Sequence, residues 1–330
     1  MMLINLVLKR TYRPPPNTIQ WNKMIKNHQA NGNYQQALKL FQVGIDKQTF
    51  QPDSVTYLTV IDICKQSKAL PTLRTIHQLI DSSKTRPNHE DVSKNARIRS
   101  LLMDAYVKCQ DIENAYRVFQ SMNERNLIDY CGLITGFNQQ KQYEKTFELY
   151  RQIPSTIKYS SPILSTLVLQ ACTELERYND GLEIHRHSQK FLPQDKMLLN
   201  EIFNFYLKFH QEKPALDLFD KYSKHQTIVD YSLFMKYYNR TFQPEKTIDL
   251  YYRLKTQTKL RIDHIIYVLV LQAVANACCL HTSRRIQDDI RKFGMNLDIQ
   301  NALINMYGNA IKIISVRLIC RKDLSRLLFL

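Results

Sequence analysis

The chain has 330 residues, with 46 Lys+Arg against 30 Asp+Glu and a net charge of +16. Only 7 glycines occur, and none of the patterns GxGxxG, GxxxxGK before Ser or Thr, or GxSxG is present, which excludes the Gly-rich phosphate cradles of nucleotide-binding enzymes and the nucleophile elbow of hydrolases. With 44% hydrophobic and 10% aromatic residues the chain is neither collagen-like nor low-complexity, and it can bury a core.

The basic surplus fits a nucleic-acid partner, whose phosphates Lys and Arg neutralise with release of counterions, and equally fits a device for solubility. Seven cysteines without a CxxC pair argue for a reducing compartment and against a disulfide framework or structural zinc. No Asp or Glu precedes Asp46. The first 13 residues combine Leu3, Ile4, Leu6, Val7 and Leu8 with Lys9, Arg10 and Arg13. This acid-poor start, residues 1–17, resembles a mitochondrial presequence, although it is short and poor in serine. The stretch His264 to Ser283 lacks formal charge but is broken by Gln272, Asn276 and His281, so it reads as a buried helix pair and no membrane partner is expected.

Five segments superpose along the chain: Asn31 to Phe41, Cys109 to Phe119, Gln140 to Tyr150, Phe209 to Phe219 and Thr241 to Tyr251. Each carries a small residue (Ala37, Ala115, Thr146, Ala215, Thr247) and an aromatic four positions later, which places both on one helix face. A second amphipathic segment precedes each, for example Trp21 to Ile25, across a turn such as Asn31-Gly32-Asn33. A different unit falls between them: Tyr57 to Cys64, Ser165 to Cys172 and Tyr267 to Val274 match, followed by Thr75-Ile76-His77, Glu183-Ile184-His185 and Arg285-Ile286-Gln287. Tyr106, Tyr206 and Tyr307 recur about 100 residues apart, so three kinds of unit alternate three times. The expectation is an all-α protein, an α-solenoid superhelix of about nine helix-turn-helix repeats.

Cys64 and Cys172 share one repeat position, and His77 and His185 another. Such residues lie a super-repeat apart along a solenoid and do not converge, so core packing is the expectation rather than metal binding or Cys/His catalysis. No catalytic residue, metal ligand or cofactor is expected.

At these residues the chain resembles the pentatricopeptide repeat family, in its PLS subclass. Trp21-Asn22-Lys23-Met24-Ile25 is similar to the start of a P motif and Gln51-Pro52-Asp53 to its end. Ala171-Cys172 with Gly181 to His185 is similar to the L motif, and Asn301 to Tyr307 to the S motif. The register is P 18–53, L 54–95, S 96–126, P 127–161, L 162–195, S 196–227, P 228–263, L 264–296 and a partial S 297–309, with Ser82 to Asn95 reading as a solvated insertion.

The resemblance implies a groove for single-stranded RNA, one base per repeat, read by the fifth and last residues of each unit. Asn22 with Asp53 matches a uracil pair, Ser100 with Asn126 an adenine pair, and Ser232 with Asp263 a guanine pair, as does Thr166 with Asp195 in an L unit. Asn200 is of pyrimidine type, with Thr227 or, one residue earlier, Gln226 as its partner; Cys131 with Ser161 lies off the code; Leu58 and Val268 are expected to read nothing. Ile19, Ile128 and Val229 stand where the family wedges an apolar side chain between bases, or are simply residues of a helix start.

PLS proteins often end in a zinc-dependent cytidine deaminase that needs HxE together with PCxxC, and PCxxC is absent here. The chain itself is therefore expected not to deaminate, and a deaminase or other RNA-processing protein would act in trans. Residues 310–330 have no repeat character and read as the product of a truncation, a retained intron or a frameshift. The alternative is a protein-binding scaffold of the tetratricopeptide kind. The Pro52-Asp53 ending, the +16 charge and the missing glycine at the eighth position of most units argue against it.

Overall fold

The computed structural model describes residues 17–47, 51–82, 92–277, 280–294 and 296–308. The presequence-like start, most of the solvated insertion and the stretch 310–330 lie outside the described residues. The chain divides into two compact units, Met1–Leu175 and Glu176–Leu330.

In the first unit, α1 (Thr18–Ala30) pairs with α2 (Tyr34–Asp46), α3 (Ser54–Ser67) with α4 (Leu70–Ser82), α5 (Ala96–Lys108) with α6 (Ile112–Gln120), and α7 (Leu127–Gln139) with α8 (Tyr143–Gln152); α9 (Pro162–Glu174) packs on both α7 and α8. In the second unit, after α10 (Tyr178–Ser188), α11 (Lys196–Lys208) pairs with α12 (Glu212–Lys221), α13 (Ile228–Arg240) with α14 (Pro244–Gln257), and α15 (His264–Ala277) with α16 (Leu280–Phe293); residues 297–308 form α17. In the first unit α1, α3, α5 and α7 each touch their own second helix and the next first helix, and in the second unit α11 and α13 do the same, so each unit is an α-solenoid, and no strand occurs among the described residues. No helix among the described residues is long and apolar enough to cross a membrane, and α15 ends after 14 residues at Ala277.

The small–aromatic pairs form the seam of each hairpin. Ala37, Ala115 and Ala215 are fully buried, as are Thr146 and Thr247, and Phe41, Phe119, Tyr150, Phe219 and Tyr251 fill the space beside them. A buried hydroxyl needs a partner, and both threonines have one. Thr146 Oγ1 donates to Asn138 Oδ1 at 2.7 Å while Asn138 Nδ2 donates to the Leu167 carbonyl at 2.8 Å. Thr247, Asn239 and the Leu269 carbonyl repeat the bridge at 2.9 and 2.8 Å. One amide thus ties three helices together.

His77 and His185 are packing residues. His77 Nδ1 lies 3.0 Å from Tyr106 Oη and His185 Nδ1 2.8 Å from Tyr206 Oη; at the third equivalent place Tyr307 Oη donates to Gln287 at 2.9 Å. Burial, assisted by the Lys221 charge, pushes the His185 pKa down and keeps the ring neutral. Cys64 and Cys172 are fully buried, and desolvation followed by Cys109 raises the Cys64 thiol to about 12, far from nucleophilic use.

Among the described residues, each inter-helix turn in a hairpin uses one left-handed residue. Gly32 has φ 71°, and the equivalent residues Lys68, Gln110, Lys141, Glu176, His210 and Phe242 have φ between 53° and 62°. The residue after it closes the helix by donating to a carbonyl five back, as in Asn33 to His28 at 2.9 Å, Gln142 to Phe137 at 2.8 Å and Gln243 to Tyr238 at 2.9 Å. A left-handed L-residue costs roughly 1–2 kcal/mol, against the 0.5–1 kcal/mol that glycine loses in chain entropy. Phe242 is exposed and its side chain contributes no packing that glycine would forfeit. Phe242→Gly is therefore expected to stabilise its unit by about 0.5–1 kcal/mol, read as a raised urea midpoint; a lowered midpoint would refute the strain argument.

Candidate functional site

The first helices begin at Thr18, Ser54, Ala96, Leu127, Pro162, Lys196, Ile228 and His264, with α17 beginning at Leu297. The residue just before each start is a side-chain N-cap. Asn17, Asp53, Asn95, Asn126, Ser161, Asp195, Thr227, Asp263 and Asn296 each accept from a backbone N–H three residues on, at 2.8 to 3.4 Å. All but Asn17 fall at the last residues of the repeat register expected from the sequence. Capping alone selects Asn, Asp, Ser and Thr at this place, so the residue type there answers two demands at once. Gln226 is excluded from the role by packing: its amide donates to the Phe219 carbonyl and accepts from Tyr231 Oη, both at 2.7 Å.

At the fifth position, the structure brings Asn22 and Asp53 together. Asn22 Nδ2 donates to Asp53 Oδ1 at 3.0 Å, and Thr56 Oγ1 donates to Asn22 Oδ1 at 2.7 Å. Burial alone would raise the Asp53 pKa, but hydrogen bonds from the Thr56 backbone and side chain and from Asn22 outweigh it and hold the carboxyl below its usual value. Asn200 is held differently: its Nδ2 donates to Asp230 Oδ1 at 3.1 Å, while Thr227 Oγ1 donates to Asp230 Oδ2 at 2.9 Å. The third residue of the following helix (Thr56, Asp230) therefore orients the fifth-position amide, a role that sequence reasoning missed. The signal was available as a capping box, since that residue also reaches back to the cap.

The remaining pairs are not hydrogen-bonded to each other. Ser100 is half-buried on α5, whereas Asn126 is exposed and caps Asp129. Ser232 Oγ donates to the Val229 carbonyl at 2.8 Å and Thr166 Oγ1 to the Pro162 carbonyl at 2.9 Å, so both hydroxyls keep acceptor capacity. Burial lifts the Cys131 thiol to about 11, and Ser161 is buried at its cap. Thr166 lies on α9 of the first unit, and Asp195 caps α11 of the second. Asp263 caps Ile266 at 3.0 Å.

At the second position Ile19, Ile128 and Val229 are 76%, 78% and 54% exposed. The same offset gives Val55, Ile163, Met197 and Ile265 in four other repeats, all exposed as well, and Arg97 and Asp298 in the remaining two. Core packing does not explain a run of solvent-facing aliphatic side chains at one register position; the sequence signal was that shared offset, applied to the P units alone. Leu58 and Val268, at the fifth position, are half-buried.

Three clefts lie along these first helices. One of ≈ 420 Å³ is lined by Ile19, Asn22, Lys26 and Asp53, and one of ≈ 740 Å³ by Lys26, Leu58, Asp62, Ser100, Asp104 and Ile128. In the second unit a cleft of ≈ 850 Å³ is lined by Lys236, Arg240, Val268, Gln272, Asn301 and Asn305, among others. Two carboxylates of the ≈ 740 Å³ cleft are occupied: Asp62 Oδ2 accepts from Gln29 at 2.7 Å and Gln66 at 2.8 Å, and Asp104 pairs with Lys65 at 2.5 Å. The tripeptide His210-Gln211-Glu212 has HxE spacing, but it is a hairpin turn. His210 is left-handed and Glu212 is engaged by Lys246 and Tyr238 Oη.

Residues 99–127 match the PPR repeat family. The chain is 24% identical over 96% of its length to a pentatricopeptide repeat-containing protein of Arabidopsis thaliana, of which it covers 36%. It is 21% identical over 93% of its length to another from the same plant, named as chloroplastic, and covers 37% of it. A third Arabidopsis relative, a putative pentatricopeptide repeat-containing protein named as mitochondrial, is 22% identical over 83% of this chain and 42% covered. The chain thus spans between a third and a half of the length of these relatives. Among solved structures, that of the pentatricopeptide repeat protein PPR10 from maize aligns with a TM-score of 0.47 and 13% identity over 96% of this chain and 55% of PPR10. The structure of PPR10 with an 18-nt psaJ RNA element aligns with the same TM-score and 14% identity, over 91% and 55%.

Proposed function

We propose that this protein binds single-stranded RNA with sequence selectivity and without chemistry of its own. In this reading it is a mitochondrial RNA-processing factor of the editing type, built on alternating P, L and S repeats, that works with a deaminase or other processing protein in trans. The observation that carries the reading is a register that recurs in both units: an exposed aliphatic residue at the second position of most repeats, a polar residue at the fifth of most, and a polar cap at the last. A splayed base stacks on the first and presents its edge to the other two. The similarity to pentatricopeptide repeat proteins and the +16 charge support the same partner.

The test is fluorescence anisotropy of the full chain with a short RNA of pattern U-n-A-n-n-Y-G and a permuted control, at two salt concentrations. The coded RNA is expected to bind more tightly, with affinity falling steeply as salt rises. Ser232→Ala is expected to lose about threefold to tenfold, and only when guanine stands at its position, as befits one or two hydrogen bonds. Equal binding of both RNAs would leave a basic clamp without a code. Failure to bind either would overturn the proposal in favour of a protein-binding scaffold.

A further inference from the structure

We infer that Gln272 is the base-reading residue of the repeat spanning residues 264–296, in place of Val268, whose side chain can neither donate nor accept a hydrogen bond. This deepens the RNA-binding reading above and rests on it. Val268 and Gln272 are separated by four residues on α15, so they stand on one helix face a single turn apart, and both line the ≈ 850 Å³ cleft of the second unit.

What distinguishes this cleft is that five of its polar side chains are available. Gln272, Asn301 and Asn305 make no side-chain hydrogen bond among the described residues, and Lys236 and Arg240 make no ion pair there. All five are exposed. The equivalent residues of the other L-type repeats are engaged: Asp62 accepts from Gln29 and Gln66, and Gln170 Oε1 accepts from Asn138 Nδ2 at 3.2 Å. In the second unit the corresponding amide, Asn239, keeps the bonds to the Leu269 carbonyl and Thr247 that Asn138 makes to Leu167 and Thr146, but makes none to Gln272.

A carboxamide carries both a donor pair and an acceptor, which matches the mixed edges of the nucleobases. The exposed Ile265 at the second position of the same helix gives the base an apolar surface, and Lys236 and Arg240 supply the positive charge that a neighbouring phosphate requires. The ligand is therefore one nucleotide of a single strand, held by stacking and read one turn farther along the helix than in the P and S repeats.

The full chain is titrated with RNAs in which the nucleotide following the guanine of U-n-A-n-n-Y-G is each of the four bases or an abasic residue. Wild type is expected to prefer its best base over the abasic site by about threefold to tenfold. Gln272→Leu is expected to abolish discrimination among bases there while selection of the preceding guanine persists. Since Gln272 is exposed, this variant keeps its core, and unchanged guanine selection reports that it is folded. Val268→Ala is expected to change nothing. Equal affinity of wild type for all five RNAs, or an unaltered Gln272→Leu profile, would overturn the inference while leaving the RNA-binding reading intact. Loss of guanine selection in the wild type itself would overturn both.

Discussion

Phe219→Ala is expected to destabilise the unit Glu176–Leu330 by about 3–5 kcal/mol, the range for deleting a fully buried phenylalanine. Phe219 has no solvent exposure and sits at the centre of an aromatic cluster. Its ring centroid lies 4.7 Å from Phe234, 5.1 Å from Tyr231 and 5.9 Å from Phe203, and the Arg253 guanidinium stands 5.3 Å above it. These rings come from α11, α12 and α13, so the cavity would open where three helices meet and no single side chain could collapse into it. At ~2–4 °C per kcal/mol the melting temperature should fall by roughly 6–20 °C. Phe219→Leu retains most of the volume and should cost less than half as much. Far-UV circular dichroism melts and urea titrations provide the check. A loss below about 1 kcal/mol for the alanine variant would show that the cluster is not the centre of this unit.

Gly181→Ala should also destabilise, although alanine is the better helix former. The propensity gain at a mid-helix glycine is about 0.5–1 kcal/mol. Against it, an added Cβ would lie 2.2 Å from Phe205 Cε2 and 2.5 Å from Cζ, whereas carbon atoms rest about 3.5–4.0 Å apart. Phe205 has nowhere to go: it is fully buried, stacked on Tyr178 at 5.5 Å and set against Phe209 at 5.1 Å. Overpacking of this kind costs about 1–3 kcal/mol, so the clash wins. Gly132 is the internal control, since its Cβ would meet only the Met103 Cε at 3.3 Å, the end of a flexible side chain. Gly132→Ala should be neutral or stabilising, and Phe205→Leu should restore a Gly181→Ala protein. If Gly181→Ala raises the urea midpoint on its own, the close approach of α10 and α11 is wrong.

The candidate site was legible to the extent that it is local. A cap acts on a backbone N–H three residues away, so the last residue of each repeat declares itself as Asn, Asp, Ser or Thr before an apolar run. The same rule shows why those residues carry less information than the code suggests, because capping would keep them polar in the absence of any ligand. Exposure at the second position was harder to see. An isoleucine there looks like an ordinary helix residue until the structure shows Ile19, Ile128, Ile163 and Met197 standing in solvent at the same register.

The sequence by itself determined the period, the helix starts and the small–aromatic seam. Each is set by contacts within one turn of helix or within one hairpin, where spacing along the chain is spacing in space. Only the tertiary structure decided which polar groups on the first helices are available. Asn22 is bound to Asp53, 31 residues away, and Asn138 to Leu167, 29 away, whereas Gln272 is left without a partner among the described residues. Those outcomes depend on how one repeat sets against the next within a unit. Gln29 donates to the Asp62 carboxylate and Asn138 to the Gln170 amide, whereas Asn239 bonds only a carbonyl and a threonine, and that difference changes what remains free to meet a ligand.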